Sequence, residues 1–176
     1  VLRGTYYVFA TERYLKTIAA KASFTVETVA LITLGPVGGT VGTEVKISGE
    51  GFGNSEAITV KYDGVVVDIE SGDDDTNSNG EFNDTTIIIP LSIAGEHTIT
   101  VTGDESAATT EAKFTVQPVM TITPTSGAIG STITASGTGF GDEVNVTITL
   151  DTGSAAQGTT DNNGNFTISF TAPPAA

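Results

Sequence analysis

The chain has 176 residues, a formal net charge of −14 at pH 7 and no cysteine. Seven Lys and Arg residues are too few for the clustered basic surface that binds phosphates, so we expect no nucleic-acid partner. The lack of cysteine excludes disulfides, thiolate metal sites and a cysteine nucleophile. No apolar run reaches the roughly 18 to 20 residues that span a bilayer.

The first thirty residues have the pattern of two closing strands of a domain. The segment GTYYVFAT begins at Gly4, and residues 24–27 read FTVE. The same pair recurs later, where GEHTITVT begins at Gly95 and residues 114–117 read FTVQ. Because the second pair ends a module, we predict that residues 1–30 are the C-terminal strands of a split immunoglobulin-like domain.

Residues 31–118 are predicted to form one intact module of about seven short strands. Apolar positions alternate with period two, which places one face of each strand against a core. Two continuous apolar runs, 65–67 and 87–89, are compatible with central strands. Short strands separated by Gly and Asn-Gly turns indicate an all-β immunoglobulin-like β-sandwich. The alternating positions are Val45, Ile47, Ile58, Val60, Tyr62, Ile99, Val101, Phe114 and Val116.

Residues 119–176 repeat the opening of that module. Residues 34–53 read LGPVGGTVGTEVKISGEGFG and residues 122–141 read ITPTSGAIGSTITASGTGFG, at an offset of 88 positions. The 58 residues of 119–176 and the 30 residues of 1–30 together equal one repeat. We therefore predict tandem immunoglobulin-like sandwiches, one intact and one split between the two chain ends.

Two arrangements would explain such a permuted sequence. Either each copy lends residues 1–30 to the open half-domain of a neighbour, or the chain is one period cut from a longer array. In both, an open sheet edge invites pairing with another chain. Charge favours the pairing weakly, since residues 1–30 hold four basic and two acidic residues while 119–176 hold four acidic and no basic ones.

A family resemblance follows from the repeated opening. The spacing P-x-x-G-x-x-G at Pro36 and Pro124, followed by Ser-Gly-x-Gly-Phe-Gly, resembles the IPT/TIG immunoglobulin-like domain over nearly the whole chain. The resemblance implies a module of surface receptors, of bacterial or archaeal cell-surface proteins, or of accessory regions in carbohydrate enzymes. It implies no catalytic residues, so we expect a prokaryotic cell-surface protein that is not an enzyme.

An acidic insertion at residues 70–84, ESGDDDTNSNGEFND, departs from the family pattern. Its alternating oxygen ligands before a glycine suit calcium, which takes six to eight oxygens. The spacing is not that of an EF-hand, because Thr86 stands where a bidentate Glu would be, so a solvated hairpin loop stays open as an alternative. No cofactor is required, and Ca²⁺ is the one candidate. The candidate ligands are Asp73, Asp75, Asn77, Asn79 and Asp84.

Three sequons give candidate glycosylation sites at Asn83, Asn145 and Asn165. Strand alternation predicts that Asn145 and Asn165 face outward, opposite their apolar neighbours. The only histidine, His97, has no neighbouring nucleophile in the sequence and is expected to be structural.

The patterns together predict a structural subunit of an extracellular filament or surface layer, assembled head to tail from copies of itself. Cell-surface glycans or other envelope proteins are further candidate partners. Two alternatives stay open: a tandem-repeat stalk of a long surface adhesin, and an accessory module of a secreted polysaccharide enzyme. The expected assembly interface places Tyr7, Phe9 and Phe24, or their strand neighbours, against Phe140, Phe166 and Phe170.

Overall fold

The structure is a computed structural model that describes residues 4–11, 13, 18–26, 29–151 and 153–174. All regular elements within these ranges are β-strands, and the described residues include no helix that could cross a membrane. The strands are β1 (Gly4–Thr11), β2 (Ile18–Val26), β3 (Leu31–Gly35), β4 (Gly38–Gly39), β5 (Glu44–Glu50), β6 (Ile58–Tyr62), β7 (Val65–Val66), β8 (Phe82–Ile88), β9 (Gly95–Gly103), β10 (Thr109–Val116), β11 (Val119–Thr123), β12 (Thr132–Thr138), β13 (Asn145–Leu150), β14 (Gly153–Thr159) and β15 (Phe166–Thr171).

Strands β3 to β10 build one complete two-layer sandwich. One layer is a three-stranded sheet in the order β3-β5-β8, and the other is a five-stranded sheet in the order β4-β10-β9-β6-β7. Paired strands run antiparallel, except that the short β4 lies parallel to β10. The predicted all-β, immunoglobulin-like architecture is therefore confirmed. We call residues 31–116 the intact module.

The core of the intact module consists of apolar side chains that alternate along the strands. Successive side chains of a strand point to opposite faces, so only every second one reaches the core. All nine positions predicted from the alternation are buried. The aromatic pair Phe52 and Phe82 extends this core, with ring centroids 5.5 Å apart.

The two continuous apolar runs lie at sheet edges, so their assignment to central strands was wrong. Val65 and Val66 form β7, which among the described strands pairs with β6 alone, and both side chains are exposed. At the end of β8, Ile87 and the following residue Ile89 are buried, while Ile88 points outward. A run of apolar residues does not identify a central strand when one face of the sheet is open to solvent.

Strands β11 to β15 form an incomplete copy of the sandwich, which we call the open half. It contains a three-stranded sheet in the order β11-β12-β15 and the separate pair β13-β14. Its aromatic pair Phe140 and Phe166, with centroids 5.1 Å apart, corresponds to Phe52 and Phe82. Gly137, like Gly49 in the intact module, leaves room for the facing phenylalanine ring, where a Cβ would collide. The buried residues of its apolar core are Ala135, Ile148, Phe166, Ile168 and Phe170.

The two units adjoin closely. Strand β10 ends at Val116 and β11 begins at Val119, so the connection is two residues long. The Ala94 amide donates a hydrogen bond to the Phe140 carbonyl at 3.1 Å, and a Cβ on Gly139 would lie 3.1 Å from the Gln117 carbonyl oxygen. The two units are therefore in direct contact at the joint.

Candidate assembly site

The open half contains counterparts of all but three strands of the intact module. Sheet β11-β12-β15 matches β3-β5-β8, and the pair β13-β14 matches β6-β7. In the intact module β6 pairs with β7 on one side and with β9 on the other. Within the described residues β13 pairs with β14 only, so its second edge presents unpaired backbone groups. Residues 119–174 contain no counterpart of β4, β9 or β10 among the strands described there.

The missing strands leave apolar side chains exposed in the open half. Ile32 of β3, the strand that packs against β10, is 6% exposed, whereas its counterpart Met120 is 50% exposed. Val41 is partly buried against the core, whereas its counterpart Ile129 is 69% exposed. These differences mark the surface that two further strands would cover.

The hairpin formed by β1 and β2 has the register of the missing pair. In the intact module Gly95 lies opposite Val116, and in the hairpin Gly4 lies opposite Val26. The correspondence continues inward: His97 faces Phe114, as Tyr6 faces Phe24. The hairpin differs in one irregularity, a register shift between Ala10 and Thr11.

The hairpin has one face that corresponds to the core face of β9 and β10. Its members Tyr6, Val8 and Phe24 take the places of His97, Ile99 and Phe114, which are buried. Val8 is 63% and Phe24 62% exposed in the hairpin.

Two of the three hairpin residues expected at the interface lie on the opposite face. Tyr7 and Phe9 share that face with Lys21, whose Nζ lies 3.6 Å from the centroid of the Tyr7 ring. The core face instead carries Tyr6 and Val8, the neighbours of Tyr7 and Phe9 along β1. The sequence had not singled out these two residues by name. The alignment of Gly4 with Gly95 is the sequence signal that identifies them.

The expected interface residues of the open half contribute to its own core. Phe166 and Phe170 are buried, and Phe140 is half-buried against Phe166. Their role in contact with a neighbour stays a prediction. Met120 and Ile129, found through their exposure, were not anticipated, although the 88-residue offset aligns them with Ile32 and Val41.

Comparison with known families agrees with the fold. Residues 31–116 match the family model of the IPT/TIG domain. The intact module is an IPT/TIG domain. Such domains are immunoglobulin-like modules that are often extracellular, and they indicate a surface or adhesion role. A search of curated proteins found no match to the chain.

In the acidic loop of the IPT/TIG domain, side chains of candidate calcium ligands accept hydrogen bonds from backbone amides of the same loop. The Asn77 side-chain oxygen accepts hydrogen bonds from the Asn79 and Glu81 amides at 2.8 and 3.1 Å. Asp73 accepts one from the Asn83 amide at 3.0 Å. The backbone of Asp75 forms an isolated antiparallel β-bridge with Ala57. The Asp84 Oδ1 atom lies 3.5 Å from the Lys46 Nζ atom. The residues described in the structure include no group of three or more His, Cys, Asp or Glu arranged for a metal ion. Calcium binding stays a prediction.

The same turn occurs in the open half without the acidic insertion. Asp161 accepts hydrogen bonds from the Asn163 and Asn165 amides at 2.9 and 2.8 Å, as Asn77 does in the IPT/TIG domain. The hydrogen bonds from Asn165 are the main reason that the pKa of Asp161 is below its usual value. The two loops therefore share the same turn geometry.

The three sequons differ in accessibility. Asn83 and Asn145 are exposed on β8 and β13. Asn165 is half-buried, and its Nδ2 donates a hydrogen bond to Asp161 at 3.1 Å. A glycan on Asn165 would displace this bond, so Asn83 and Asn145 are the more accessible candidates.

His97 is buried in the IPT/TIG domain and connects three elements. Its Nδ1 lies 2.6 Å from the Asp63 carboxylate, and its Nε2 lies 2.9 Å from the Ile93 carbonyl. The ring stacks on Tyr62, whose hydroxyl is 3.0 Å from the Ser92 hydroxyl. Burial raises the pKa of Tyr62 to about 12. The Ser92 hydroxyl lies next to the Tyr62 hydroxyl and makes no hydrogen bond to His97. Ser92, His97 and Asp63 therefore do not form a catalytic Ser-His-Asp chain.

Proposed function

We propose that the protein is the structural subunit of an extracellular filament or surface layer, without a reaction of its own. In this assembly the hairpin of one copy, β1 and β2, completes the open half of the next copy. The observation that carries the proposal is the register of the hairpin, which equals that of β9 and β10, the two long strands missing from the open half.

The pairing within the IPT/TIG domain supplies the geometry. There Ile99 lies opposite Tyr62, and Val101 lies opposite Val60. Transferred to the open half, the same register places Val8 of the incoming β1 opposite Leu150 of β13. Ala10 then lies opposite Ile148, which is already in the core of the open half.

Burial of apolar surface would drive the association. Val8 and Phe24 on the hairpin, and Met120 and Ile129 on the open half, are large apolar side chains exposed to solvent. Complete burial of one such side chain contributes about 1.5 to 3 kcal/mol. Backbone pairing along β13 adds affinity, as in other cases where a strand is added to a sheet edge.

The hairpin of one copy cannot readily reach the open half of the same copy. Four residues separate Val26 from Leu31, so these ends lie at most about 18 Å apart. Strand β9 of the intervening domain has nine residues and a length of about 30 Å. The hairpin precedes this domain in the chain and the open half follows it, so each would meet its partner on another copy. Contacts of this kind that do not close produce filaments.

Two substitutions on adjacent residues of β1 test the proposal. Val8→Asp places a charge on the core face of the hairpin, and Phe9→Asp places one on the opposite face. Light scattering and electron microscopy of the full-length chain should show assemblies for the unsubstituted protein and for Phe9→Asp, and monomers for Val8→Asp. Equal assembly of both variants, or no assembly of the unsubstituted chain, would contradict the proposal.

The mass of the native protein under denaturing conditions, after removal of glycans, distinguishes the tandem stalk. Separate subunits in filamentous material give a mass near 17.9 kDa. A mass many times larger would show that neighbouring units are covalently joined, and the protein would then be one period of a stalk.

A further inference from the structure

Asp63 holds the start of β9 in the intact module. It follows β6 directly and has a left-handed backbone with φ of 48°. Its carboxylate accepts a hydrogen bond from the Thr98 amide at 2.8 Å, and its own amide donates one to the Thr98 carbonyl at 2.9 Å. Both backbone groups of Thr98, its amide and its carbonyl, are thus bound by one residue.

Asp151 stands at the corresponding position of the open half. It follows β13 directly, 88 positions after Asp63, and its φ is 49°. Residues other than glycine rarely adopt this left-handed conformation, so its recurrence at both positions is informative. The side chain of Asp151 is exposed, and no described residue donates a hydrogen bond to its carboxylate.

We infer that Asp151 captures the incoming β1 of a neighbouring copy. The correspondence of Gly4 with Gly95 places Tyr7 at the position of Thr98. The Asp151 carboxylate therefore accepts the Tyr7 amide hydrogen, and the Asp151 amide donates to the Tyr7 carbonyl. This inference rests on the proposed function.

A clamp at the strand end adds to the pairing that the sheet alone supplies. A hydrogen bond to a charged group is roughly twice as strong as one between neutral groups. Because backbone amides repeat every two residues along a strand, the clamp holds the incoming strand at the end of β13, and the apolar side chains of the core face select its register.

The test uses two full-length variants that form a single interface when mixed. Ile148→Asp disables the open half of the donor chain, and Val8→Asp disables the hairpin of the acceptor chain. Asp151 is then changed in the acceptor to Asn, which keeps an oxygen acceptor, and to Gly, which tolerates the positive φ but removes the side chain. Asp142→Asn and Asp142→Gly, at an exposed loop position, are the matched controls.

We expect Asp151→Gly to weaken the affinity of the mixed pair by about tenfold to a hundredfold, with a smaller loss for Asp151→Asn. The Tyr7 amide resonance of a ¹⁵N-labelled donor should shift on binding the unsubstituted acceptor and return toward its free position with Asp151→Gly. Affinities equal to those of the Asp142 controls would overturn the role of Asp151 and leave the assembly proposal intact. No association of donor with unsubstituted acceptor would overturn both.

Discussion

Glu56 shows how one buried carboxylate depends on the strands that the open half lacks. It lies just before β6 and accepts hydrogen bonds from the Gly53 amide at 2.5 Å, the Glu105 amide at 3.0 Å, and both the amide and hydroxyl of Ser106 at 2.6 Å. Most of these donors lie in the turn between β9 and β10. The open half has Val144 at this position, so no carboxylate is left there without donors before assembly.

The Glu56 network makes the stability of the IPT/TIG domain sensitive to acid. Burial on its own would raise the pKa of Glu56, but the hydrogen bonds from Ser106, Gly53 and Glu105 lower it below 4.5. A lowered pKa in the folded state stabilises the fold above pH 4.5, and this contribution is lost as the pH falls through the folded-state pKa.

We predict that Glu56→Gln lowers the free energy of unfolding at pH 7 by about 3 kcal/mol, because its amide group cannot accept from four donors. The difference from the unsubstituted protein should shrink below pH 4.5. Denaturant titrations across pH measure this, with the exposed Glu111→Gln as control. Equal pH profiles for both variants would show that the network contributes little.

At the scale of the element, the alternation of apolar residues predicted the existence of the strands well. It predicted their positions within the sheets less well. Periodicity identified the buried positions of β5, β6, β9 and β10, because those strands have one buried face. It could not assign the faces of β1, where Tyr6, Tyr7, Val8 and Phe9 are all apolar. The pairing of Tyr6 with Phe24 and the alignment of Gly4 with Gly95 assign the faces. The parallel pairing of β4 was also not predicted, since two glycines carry no alternation.

A cysteine pair can test the register of β1 against β13, because the chain has no cysteine of its own. We predict that the double variant Val8→Cys, Leu150→Cys forms disulfides between copies under mild oxidation, since directly opposite residues have Cβ atoms about 4.5 to 5.5 Å apart. Non-reducing electrophoresis should then show a ladder of multimers. The pair Val8→Cys, Ile148→Cys lies two residues out of register and should cross-link far less. A reversed preference would place β1 in another register.

At the scale of the whole molecule, the two ends of the chain carry opposite net charge. Residues 1–30 hold an excess of two positive charges, and residues 119–176 an excess of four negative ones. In the proposed assembly this opposite charge would speed the encounter of two copies at low salt, while apolar burial would stabilise the contact. The connection between β10 and β11 is only two residues long, and the Ala94 amide donates a hydrogen bond to the Phe140 carbonyl beside it.

A filament assembled as proposed would have two different ends, and each could be blocked separately. The Val8→Asp chain can receive a hairpin but not donate one, and the Ile148→Asp chain can donate but not receive. We predict that a small fraction of either variant, mixed with the unsubstituted protein, shortens the filaments seen by electron microscopy. The double variant Val8→Asp, Ile148→Asp carries both charges but neither working surface, so it should leave filament length unchanged. Shortening by the double variant as well would mean that the charges act elsewhere, and shortening by only one single variant would mean that growth does not require both surfaces of each subunit.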